Sequence, residues 1–149
     1  MALFSKIKQA VQSVTGGGAK VSLMITTPPS RQQPFHVQVK AVVADSDIKP
    51  ARVYVTVESV ETATVSASVE NRQQQFSNDA TIFQTSFNIA GAQELTAKQE
   101  YTWEGDVQLP ASVLPTYRGR NARHEWRIKA GLDLPGNDPD SGWTAIEIQ

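Results

Sequence analysis

The chain has 149 residues, 40% of them hydrophobic and 19% charged, which suits one globular domain and is too apolar for a disordered chain. Its formal net charge of -1 excludes a general attraction to nucleic acid or anionic membranes, so either role needs a local patch. The absence of cysteine excludes a disulfide framework, a thiolate metal site and a cysteine nucleophile, and it favours a reducing, cytoplasmic setting.

Residues 3–14 place Leu3, Phe4, Ile7, Val11 and Val14 at helical spacing, with polar residues between them. This predicts a short amphipathic helix, ended by Gly16-Gly17-Gly18. Lys6, Gln9 and Gln12 interrupt it, so it lacks the unbroken apolar run of a signal peptide, and no later run approaches a membrane span. Ala2 excludes amino-terminal myristoylation, which needs glycine there.

From residue 19 the period becomes two. Val21, Leu23 and Ile25 alternate with Ser22 and Met24, and Pro28-Pro29 stops the strand. Phe35, Val37, Val39, Ala41 and Val43 form the next apolar row, and Val53, Val55 and Val57 the third. A β-rich stretch at 62–69 reads as a separate strand, followed by a hydrated loop at 70–79 containing Gln73-Gln74-Gln75. Phe83, Thr85, Phe87 and Ile89 predict a further strand, ended near Gly91.

In the last third, Tyr101, Trp103, Gly105, Val107 and Leu109 alternate with polar residues, and so do His124, Trp126, Ile128, Ala130, Leu132 and Leu134. A final strand is expected at 144–148. The fold class is all-β, an antiparallel β-sandwich of seven or eight strands, with no helical run after residue 18 long enough for a parallel crossover. The expected organisation is a helix and glycine hinge over 1–18 and one β-sandwich domain over 19–149.

The stretch Gly105-Asp106-Val107-Gln108-Leu109-Pro110, then Leu114-Pro115-Thr116-Tyr117-Arg118-Gly119, then 123–135, resembles the amino-terminal lobe of the arrestins. Leu95 and Trp103 stand where that family places apolar residues before the Leu-Pro strand. Phe4-Ser5-Lys6-Ile7-Lys8 through Gly18-Ala19-Lys20-Val21 is similar to the opening of the bacterial sporulation-control arrestin-like proteins. The resemblance implies an immunoglobulin-like, arrestin-like sandwich and a non-enzymatic scaffold or adaptor role. Arrestins have two lobes, and this chain has the length of one. Pro28-Pro29 is followed by Ser30-Arg31, so the Pro-Pro-x-Tyr motif that recruits ubiquitin ligases is missing, and no carboxy-terminal release tail is expected.

His36 falls on a polar strand face and His124 on an apolar one, and neither has a marked nucleophile or third group beside it. His124 reads as a buried or rim residue held by a backbone carbonyl. No enzyme activity, cofactor or metal is expected. Asn137, Asp138, Asp140 and Gly142 faintly resemble a calcium loop but lack its distant glutamate, and they read as a tight turn.

The stronger candidates are partner-binding. Arg118, Arg120, Arg123, Arg127 and Lys129 meet a single acid, Glu125, within their own stretch. Such cations bind phosphate or acidic peptides. The competing expectation is that Glu100, Glu104 and Asp106 of the preceding strand pair with them across the sheet. Leu3, Phe4, Ile7 and Val11 need a cover, in this domain, a second copy, a partner or a membrane surface. The leading expectation is a protein-binding adaptor using an edge strand or the helix, with a homodimer plausible and nucleic acid excluded. The alternatives are a carbohydrate- or lipid-binding sandwich using Tyr54, Tyr117 or Trp143, or a membrane-surface adaptor.

Overall fold

Alternating strands sort their side chains between a shared interior and solvent, and two antiparallel sheets result. The computed structural model describes residues 17–149. The expected leading helix, with Leu3, Phe4, Ile7 and Val11, lies outside the described residues.

The first sheet has the order β1-β2-β5, from β1 (Ala19–Ile25), β2 (Phe35–Val43) and β5 (Glu100–Val107). The second has the path β4-β3-β7-β6, from β3 (Val53–Val69), β4 (Arg72–Ala90), β6 (Tyr117–Arg118) and β7 (Ala122–Leu132). A short strand, β8 (Thr144–Ile146), pairs with β7 off that path. The chain is therefore all-β over the described residues, with eight strands and no helix.

The core lies between the sheets. Val21 and Leu23 of β1 and Phe35, Val37 and Val39 of β2 meet Val53, Val55 and Val57 of β3 and Trp126, Ile128 and Leu132 of β7. All are at most 1% exposed. Each such side chain contributes about 1.5–3 kcal/mol when fully buried, so this row outweighs any single surface contact. Gly105 lets β5 approach β4 closely, since a Cβ there would stand 2.9 Å from Ile89 Cδ1.

The segment carrying the Leu-Pro resemblance folds back onto β7. Leu109 is buried, the Leu114 carbonyl accepts from Trp126 Nε1 at 2.9 Å, and the Pro115 carbonyl bonds His124 Nδ1 at 2.9 Å. Trp126, the largest fully buried side chain, also lies edge-on to His124 and against Phe83.

Three sequence expectations change. The β-rich stretch 62–69 is no separate strand but the distal part of a seventeen-residue β3. The expected loop at 70–79 is strand from Arg72 onward, and only Glu70 and Asn71 turn. Those two residues carry φ of 51° and 63°, the left-handed pair of a two-residue hairpin turn, where asparagine is tolerated. Glutamine and asparagine have poor strand propensity, but the ladder Val65–Phe76 to Val69–Arg72 overrides it. The last strand ends at Ile146 rather than 148, and Ile148 instead bonds Thr116 through both main-chain groups.

Candidate functional site

Period two on β7 sends His124, Trp126, Ile128 and Ala130 inward and leaves Arg123, Glu125, Arg127 and Lys129 on the outer face. The basic cluster is thus real as a face, yet most of it is already engaged. Arg118 reaches Glu125 at 3.4 Å and Glu147 at 2.9 Å, and Arg123 reaches Glu125 at 2.8 Å. Arg127 clamps one oxygen of Glu58 with Nε at 2.8 Å and Nη2 at 2.7 Å, while Thr81 donates to the other at 3.1 Å. The guanidinium of Arg127 and the ammonium of Lys129 both lie over the Trp143 ring, at 4.4 and 4.8 Å.

The acids that neutralise the cluster are not the expected ones. Glu100, Glu104 and Asp106 sit on β5, which neighbours β2 and not β7. They pair there with Lys40 at 3.2 Å and with His36 at 3.7 and 2.9 Å. Alternation told which side of the strand each acid faces, but only strand order decides what it meets. Arg120 and Lys129 have no carboxylate partner among the described residues.

The two histidines separate cleanly. His36 sits on the outer face with its pKa raised, first by the hydrogen bond to Asp106, against a smaller opposing effect of burial, and further by Glu104. His124 is 3% exposed, and both ring nitrogens are used. Nδ1–H donates to the Pro115 carbonyl, which can only accept, so Nε2 accepts from the Ser59 hydroxyl at 2.9 Å. This is the carbonyl-held core histidine read from the sequence.

The acidic loop is likewise a turn. Asp138 accepts from the Tyr54 hydroxyl at 2.8 Å and from Leu134 N at 3.0 Å, and Asp140 accepts from Gly142 N at 2.7 Å. Gly136 and Gly142 adopt φ of 91° and 71°. No group of three or more potential metal ligands occurs among the described residues. Burial and the Asp138 contact push the Tyr54 phenol far above its usual range. Of the three rings proposed for stacking, Tyr54 is therefore buried, beneath Arg52. Trp143 is covered by its two cations, and Tyr117 alone is open, at 56% exposure.

Sequence reading missed the distal β3–β4 hairpin. β7 pairs with β3 only as far as Ala63, and Asn121 O holds Thr64 N at 2.8 Å. Beyond that point β3 and β4 run on as a two-stranded arm. Its odd-numbered β3 residues continue the core-facing row past the end of the core. Val65 and Phe76 therefore stand opposite one another at 61% and 52% exposure, with Val69 on the same face. A cleft of about 550 Å³ opens at the arm's root between Thr64, Ser66, Gln75 and Arg120. The available signal was the row Val65, Ala67, Val69 with Phe76 at matching distance across Glu70-Asn71.

No family model matches the chain, and no curated protein matches it. Among solved structures it is similar to Spo0M, the sporulation control protein from Bacillus subtilis, with a TM-score of 0.60 and 17% identity. The match covers 90% of this chain and 50% of that one, so the chain spans about half of Spo0M's length. The chain therefore shares its fold with about half of Spo0M, a sporulation control protein of the kind that the sequence resemblance named.

Proposed function

We propose that the chain is a non-enzymatic protein-binding adaptor of arrestin-like fold, contacting its partner through a strand edge or through the amino-terminal segment. The observation that carries this reading is the outer edge of β4, which no described strand covers. Residues 72–81 along it contain no proline and no lysine, and the pairing stays regular until the irregularity at Ser59/Val60. Those are the devices by which edges are normally closed to other chains. An edge without them offers main-chain donors and acceptors to an added strand, with the side chains setting specificity. Arg120 and Lys129 add two cations without carboxylate partners on the same sheet's surroundings, suited to an acidic flank of the partner.

The histidine geometry supports the non-enzymatic part, since His124 spends both nitrogens on the core and His36 faces only carboxylates. The test is capture of proteins on the immobilised chain, with each captured protein purified and rebound alone. The comparisons are a chain lacking residues 1–16 and one carrying Ser77→Pro. A protein that rebinds, and is lost with one of the two changes, supports the reading and locates the surface. Retention of lipid or sugar with no protein overturns it.

A further inference from the structure

We propose that the arm's edge is taken by a second copy of this chain, β4 against β4 antiparallel, with Phe76 on the twofold axis. This deepens the protein-binding reading above by naming the occupant of that edge.

The direction of the edge's main-chain groups follows from one hydrogen bond. Thr64 N donates to Asn121 O and so points away from β4, which makes Thr64–Ser77 a non-hydrogen-bonded pair. The close approach of their hydroxyls, 3.2 Å, agrees. Alternation then turns the N–H and C=O of Gln73, Gln75, Ser77 and Asp79 outward, all on one run of edge.

A twofold antiparallel pairing keeps each side chain on its own face, so residues of equal parity must oppose each other. The regular stretch runs from the turn to the bulge that sets Ile82 out of register. Its ten residues, Arg72 to Thr81, have Phe76 and Ser77 at their middle, and of these the exposed Phe76 is the one that gains cover by self-pairing. Centring there opposes Gln75 to Ser77 and Gln73 to Asp79 through hydrogen bonds, in both directions at once. Phe76 meets Phe76 as a non-hydrogen-bonded pair, and Val65–Phe76–Phe76–Val65 becomes one apolar row across four strands. A lone two-stranded ribbon is marginal in water, and four strands with an apolar row are not.

The charges select a second copy. Arg72 is opposite Ala80 of the other copy, and that small residue stands beside Glu61 of the same copy on the same face, so this opposite-sign approach across one strand occurs twice. The two Arg72 residues stand eight positions apart along the ladder, about 26 Å, and the two Asp79 six, about 20 Å. The tip of each arm reaches the other's Ile82, which is 49% exposed.

The test is the mass of the full chain by light scattering from about 1 to about 200 µM, which spans micromolar dissociation constants. The mass should double from 16.3 kDa. Ser77→Pro, which removes an outward N–H and is tolerated on an edge, should weaken association more than tenfold, as should Phe76→Lys. Phe76→Cys should cross-link on oxidation, because non-hydrogen-bonded partners stand about 4.5 Å apart at Cα. The chain has no other cysteine, and Gln84→Cys, beyond the bulge, should not cross-link. A monomer at every concentration overturns the proposal, as does a dimer indifferent to both substitutions with no Phe76→Cys cross-link. A monomer that still captures a protein overturns the second copy alone, whereas the expected dimer with no captured protein overturns the adaptor reading alone.

Discussion

Replacing Arg127 by methionine removes both donors from Glu58 while leaving an apolar stem over Trp143. The Glu58 side chain is 7% exposed and Arg127 43% exposed, so the carboxylate is left desolvated, with the Thr81 hydroxyl still donating to it at 3.1 Å. Breaking a fully buried pair from one side costs about 3–5 kcal/mol. Partial exposure of the arginine lets water reach the site, and we expect about 2 kcal/mol. Glu58→Gln keeps an acceptor for both donors and loses only charge assistance, about 1 kcal/mol. The double variant should cost less than the sum, by about 1 kcal/mol, since the pair shares one interaction. Urea unfolding followed by tryptophan fluorescence measures all three, with unchanged slope. In melting temperature, Arg127→Met should lose about 4–8 °C. Equal costs for the two single variants, or strict additivity, would refute the claim that Glu58 depends on Arg127 for its burial.

Two further outcomes follow from local geometry. Glu70→Asn with Asn71→Gly supplies the preferred residues for the left-handed pair at the arm's turn. It should slow amide exchange of Gln74 and Phe76, whose N–H groups bond β3, by roughly three- to tenfold, with faster exchange counting against the turn. The raised pKa of His36 means the folded state binds its proton more tightly than the unfolded chain. Its stabilising contribution is therefore full below the ordinary value of 6.5 and is lost as pH rises through the folded value. His36→Gln should flatten the stability profile between pH 6 and pH 8.5, about the histidine window. An unchanged slope would remove the Asp106 contact as its cause.

The sequence by itself determined which residues face inward. Period two in β2 and β7 names Phe35, Val37, Val39, Trp126 and Ile128 as core before any strand has a neighbour, because side-chain direction is a local property of extended backbone. The Leu-Pro segments marked the fold for a related reason, since their carbonyls serve Trp126 and His124 close by in the chain. What only the tertiary structure decided is adjacency. Glu100, Glu104 and Asp106 face outward as read, but they lie on the other sheet from the arginines, and Glu58 and Glu147 take their place. The arm was hidden for the same reason. Gln73, Gln74 and Gln75 are strand because β3 lies beside them, and the ladder's hydrogen bonds prevail over what the glutamines read in isolation suggest.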